Sequence, residues 1–149
     1  MFEVPTITVA VTLILTNDER IPGTFFVTND RISAGGNPAI EDVLNDQRDL
    51  FVSFESDVGA FRLINKRHII FIETQQNDQE IRSLTPHQPQ SLILRFAHDH
   101  TLFGVIYPTE QAYTRASDLL NDPSQILALY RQGTKFIFNR DMIIYANAS

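Results

Sequence analysis

Apolar residues alternate with small or polar ones near the start of the chain: Val9, Val11, Leu13 and Leu15 interleave with Thr8, Ala10, Thr12 and Ile14. A period of two is strand geometry, because successive side chains leave a strand on opposite faces. The polar triplet Asn17-Asp18-Glu19 then predicts a turn, and a second strand follows from Arg20 to Thr28. The same succession returns later as Leu92, Leu94 and Phe96, a turn at His98-Asp99-His100, and a strand from Thr101 to Tyr107. A short helix is predicted over Ala39 to Asn45, with Asn37 as its cap and Pro38 at its first position. Its counterpart spans Thr114 to Asn121 and stops before Pro123. Three further strands are predicted in each half: Leu50 to Glu55, Ala60 to Asn65 and His68 to Glu73, then Ile126 to Arg131, Thr134 to Asn139 and Met142 to Asn147.

The two halves are similar in residues as well as pattern. DVLND at 42–46 matches DLLND at 118–122, and GAFRLINKRHIIFIE from Gly59 matches GTKFIFNRDMIIYAN from Gly133 without a gap. VTLILTNDERIPGTFF from Val11 matches LILRFAHDHTLFGVIY from Leu92, placing Gly23 against Gly104. Three collinear matches in one order predict an internal repeat. The first copy is placed at 1–75, a polar linker at 76–90 and the second copy at 91–149.

Each copy then holds five short strands and one helical turn. The predicted fold is mainly β: two tandem small five-stranded SH3-like or Sm-like barrels, each with a short helix between strands two and three. Closure removes the exposed edges that so small a sheet would present. Gly23 and Gly104 mark bends within a strand, Gly59 and Gly133 tight turns, and Leu44 and Leu120 plug one end of each barrel. Several strands are apolar on both faces, notably Phe61, Leu63 and Ile64, then Ile69 to Ile72, then Ile126, Leu127 and Leu129. Their outer faces need cover from the sibling repeat, a second chain, or both.

Composition narrows the function. The chain of 149 residues has no cysteine, which removes disulfides, thiolate chemistry and Cys-ligated zinc. That fits a cytoplasmic protein. A formal charge of -6 disfavours a polyanionic partner. No run of eighteen apolar residues exists to span a membrane, and the apolar stretch near the N-terminus lacks the basic flank of a signal peptide.

Little in the sequence carries chemistry. His98-Asp99-His100 is the one metal-like cluster, but it aligns with the turn Asn17-Asp18-Glu19 and has no third ligand at useful spacing. Ser33-Ala34-Gly35-Gly36 could cradle an anion, although a surface loop explains it as well and the second copy lacks the glycines. No nucleophile, phosphate-loop or dinucleotide motif occurs. The best basic spot is Lys66-Arg67-His68 with Arg62, mirrored weakly by Arg140 and Lys135. Arg62, Asn65, Lys66, Arg67, Asn139 and Arg140 are the candidate ligand or partner contacts, with the asparagines expected to shape the turns.

DVLNDQRDLFVSFESDVGAFRLINKRHIIFIE and DLLNDPSQILALYRQGTKFIFNRDMIIYAN resemble an uncharacterised family of small bacterial domains with no assigned activity. More loosely, FRLINKRHIIFI is similar to the last two strands of Sm-like proteins, where a basic-glycine turn helps bind uridine-rich RNA. Asn65-Lys66 and Asn139-Arg140 stand where that turn has Arg-Gly, so the resemblance implies topology more than RNA binding. The expectation is a non-enzymatic protein-interaction or assembly module without metal or cofactor. Its partners are proteins, including itself as a homodimer or larger. The alternative is a nucleotide- or RNA-binding module using the Asn-Lys/Arg turns.

Overall fold

The computed structural model describes residues 6–28, 40–46, 49–76, 81–82, 88–108, 115–121 and 126–148. The first half contains β1 (Thr6–Leu15), β2 (Arg20–Thr28), α1 (Ile40–Asn45), β3 (Phe51–Ser56), β4 (Phe61–Asn65) and β5 (Ile69–Gln75). The second repeats this order as β6 (Gln90–Phe96), β7 (Thr101–Ile106), α2 (Ala116–Leu120), β8 (Ile126–Arg131), β9 (Thr134–Asn139) and β10 (Ile143–Ala148). Ser33 to Pro38, His87, Thr114, Pro123 and most of the expected linker lie outside the described residues. No helix among the described residues is long and apolar enough to cross a membrane.

Turn chemistry explains why the strands end where they do. Asp18 adopts φ 67° between β1 and β2, and His98 and Asp99 adopt φ 65° and 62° at the matching turn. Asp and His tolerate this left-handed region better than branched residues do. Between β8 and β9, Gln132 and Gly133 both have positive φ, the two-residue turn that suits the twist of a hairpin. Two 3-10 turns, Lys66–His68 and Arg140–Met142, hold back the starts of β5 and β10, so neither His68 nor Met142 belongs to a strand.

The expected closed barrels are not present. Among the described residues, ten strands form a single antiparallel sheet in the order β10-β6-β7-β8-β9-β5-β1-β2-β3-β4. Each half keeps the same internal order, fifth strand, first, second, third, fourth, but its two end strands do not pair with each other. β4 and β5 are separated by four strand spacings, about 19 Å on a flat sheet. The three-residue turn joining them reaches only about 6–8 Å. Each half must therefore curl strongly. It stays open because the free side of β5 is taken by β9 of the other half. The SH3-like and Sm-like barrel assignments are corrected accordingly to a curled, open, ten-stranded sheet.

That central pairing explains why β5 is apolar on both faces. Ile69 and Ile72 enter a core with Val11, Leu13, Phe25, Ile40, Leu44 and Phe54. Ile70 and Phe71 enter a second core with Leu92, Leu94, Phe96, Leu129 and Phe138. The traffic runs both ways, since Ile126 and Ile137 of the second half pack into the first core. The halves therefore cover one another. Ile40 and Leu44 are buried in α1 and Leu119 in α2, so Leu119 takes the place expected of Leu120.

The strand glycines mark close approaches. A Cβ on Gly23 would collide with the Glu55 carbonyl and the Phe54 ring, and one on Gly104 would meet the Tyr130 carbonyl and the Leu129 side chain. These pairs also fix which residues correspond. Phe51 faces Asn65 as Ile126 faces Asn139, so Phe51, rather than Leu50, is the counterpart of Ile126.

Candidate protein interface

The turn residues expected to meet a ligand are largely engaged in holding the fold. Asn65 Oδ1 accepts from the Arg67 amide at 3.0 Å, and Asn139 Oδ1 accepts from the Asp141 amide at 3.0 Å. Each thus caps a 3-10 turn. The Asn139 amide also donates to the Ile69 carbonyl at 3.4 Å, which places the second turn against the exit of the first. Lys66 is buried, and its ammonium donates to the Asp46 carbonyl at 2.7 Å, just past the end of α1. A buried ammonium needs such partners. Arg62 lies 3.7 Å from Glu19, Arg140 lies 4.0 Å from Asp141, and Arg67 is exposed.

The histidine cluster falls at a turn that faces the other half. His100 Nε2 is 3.3 Å from Asp18 Oδ1, and its ring meets Phe71 edge-on with centroids 5.9 Å apart. His98 is exposed on the turn itself. His68 faces Thr16, with Nδ1 2.9 Å from the hydroxyl. Arg20 clamps Glu73 through two hydrogen bonds of 3.0 and 2.7 Å, tying β2 to β5 across β1. That contact holds the arginine above its ordinary pKa.

The most built polar contacts lie along the seam between the halves. β5 and β9 pair over Phe71↔Phe138, Ile72↔Ile137, Glu73↔Phe136, Thr74↔Lys135 and Gln75↔Thr134. Above this ladder the Asn45 side chain reads the backbone of Ile126 like a paired strand. Its amide donates to the Ile126 carbonyl at 3.0 Å, and its oxygen accepts the Ile126 N–H at 2.9 Å. Lys135, buried, reaches Glu41 of α1 at 2.8 Å. Asn45 was read from sequence only as a helix end. The Asn shared by DVLND and DLLND was the available signal, but nothing local says what it reaches.

At the two ends of the sheet the same positions have no strand beside them among the described residues, where β4 pairs only with β3, and β10 only with β6. On β4, Phe61 and Leu63 are 63% and 62% exposed; on β10, Ile144 and Tyr145 are 68% and 51% exposed. Phe61 is therefore not covered by the described residues of the sibling repeat, while Ile70 is covered within the chain. The structure lends the homodimer expectation no support of its own, since the exposed apolar residues are divided between two different edges rather than gathered into one patch.

No family model, curated protein or solved structure matches this chain. Among the described residues no group of three His, Asp or Glu side chains is placed to hold a metal ion.

Proposed function

We propose that this protein is a non-enzymatic interaction module whose working surfaces are the open edges of its sheet. The supporting observation is the exposure of Phe61 and Leu63 on β4 together with Ile144 and Tyr145 on β10. An edge strand offers unpaired N–H and C=O groups in a row, and adjacent apolar side chains give an added strand something to pack on. Edges of this kind are usually blunted by charge, proline or a covering helix. On β4 only Arg62 provides charge in the exposed stretch Phe61–Leu63. The lack of cysteine goes with a cytoplasmic setting.

The test uses a fluorescent peptide copying residues 141–148 as the probe strand. Saturable binding to the full chain, lost on Leu63→Lys, is the expected result. Leu63 is largely exposed, so that variant should fold normally. No binding at protein concentrations up to about 1 mM, the range of weak specific contacts, removes the reading.

A further inference from the structure

We infer that the strand which β4 accepts is β10 of a second copy of this chain, joined head to tail so that the contact repeats the seam already inside the molecule. This rests on the interaction reading above and adds the partner and the register.

The argument is a comparison of matched positions. Five of the exposed large apolar residues stand where their counterparts in the other half are covered or occupied by the seam. Phe51 and Leu63 are exposed, whereas Ile126 and Ile137 are buried in the first core. Ile144 and Tyr145 are exposed, whereas Ile70 and Phe71 are buried in the second core. Phe61 is exposed, whereas Lys135 is buried against Glu41. The bulges agree too: β1 skips Ile70 on β5, and β6 skips Ile144 on β10. β10 is thus shaped like β5, and β4 is paired to its own neighbour like β9.

Transferring the seam register gives Tyr145 opposite Ile64, Ala146 opposite Leu63, Asn147 opposite Arg62 and Ala148 opposite Phe61. Asn121 is the counterpart of Asn45. It is exposed, and among the described residues its side chain donates to Ser117 of its own helix at 2.7 Å, a bond it would exchange to reach the Phe51 backbone of the next chain. Not every position is equally apolar. Arg62 and Arg95 replace Phe136 and Ile14, both buried. The second contact is therefore wetter than the internal one and forms reversibly with concentration. The two edges differ, so the contact is heterologous: repeated, it yields rings where the rotation closes and filaments where it does not.

Complementation tests this directly. One variant carries Phe61→Lys with Leu63→Lys and keeps β10; the other carries Ile144→Lys with Tyr145→Lys and keeps β4. All four side chains are more than half exposed, and circular dichroism verifies folding. In sedimentation velocity the wild type should associate with concentration and each variant alone should remain monomeric. An equimolar mixture should form a two-chain species that grows no further. Asn121→Ala should weaken wild-type association about tenfold, the scale of one or two lost hydrogen bonds. A wild type that stays monomeric to about 1 mM overturns the inference, as does a mixture that fails to pair or a β4-intact variant that associates by itself. If the wild type is monomeric but the probe peptide still binds, self-assembly fails and the interaction function stands.

Discussion

Replacing Asn45 with alanine tests the internal seam most sharply, because the chain supplies its own control. Asn45 makes two hydrogen bonds to the backbone of Ile126, and the residue it serves is itself buried. Two hydrogen bonds contribute about 1–3 kcal/mol together, and an N–H or C=O left buried and unpaired costs about 1–3 kcal/mol more. A loss of ~2–6 kcal/mol is therefore expected. Urea unfolding with a slope of about 2 kcal/mol per molar should register this as a midpoint lower by roughly 1–3 M. Asn45→Asp keeps the size and the acceptor but sets a carboxylate against the Ile126 carbonyl, and should do no better. Asn121→Ala, measured in dilute solution, removes a single exposed bond to its own helix and should cost less than ~1 kcal/mol. Equal losses for Asn45→Ala and Asn121→Ala, or a loss for Asn45→Ala under about 0.5 kcal/mol, would refute the view that this side chain fastens the halves together.

Other outcomes follow from single contacts. Lys135→Met leaves Glu41, whose Oε1 already has no hydrogen-bond partner among the described residues, facing an apolar group. It should destabilise by about 3 kcal/mol in urea titration, whereas pairing it with Glu41→Leu should recover most of that loss. Gly23→Ala drives a methyl into the Glu55 carbonyl and the Phe54 ring, and should lower the melting temperature far more than Gly59→Ala. Gly59 has open space around it, so only its φ of 82° opposes a side chain, at about 1–2 kcal/mol. The Arg115 guanidinium, hydrogen-bonded to Asp118 at 3.1 and 3.2 Å, holds that carboxyl below its usual range. Since the folded pKa is the lower one, any stabilisation from this pair is complete above the unfolded carboxylate value of about 4 and fades as pH falls through the folded value. A carboxyl-carbon NMR titration should show the Asp118 midpoint rising in Arg115→Gln; an unchanged midpoint would remove the pairing as its cause.

Much of the local structure was legible in the residues. Alternation from Thr8 to Leu15 placed β1, the polar turns placed the hairpins, and the fourth and ninth strands fell close to where the pattern put them. These features depend on φ preferences and on side chains two residues apart, which neighbouring residues specify. The double-sided apolar run Ile69 to Ile72 also announced that both of its faces would be covered. It did not say by what. Backbone N–H and C=O groups carry no label for their partner, so β5 could satisfy them by closing onto β4 or by pairing with β9. Only the tertiary structure decided for β9, and that choice opened the barrel, buried Ile137 and left its counterpart Leu63 in water. The candidate interface was hidden for the same reason. Leu63 and Ile137 look alike as residues, and they differ only in whether a strand lies beside them.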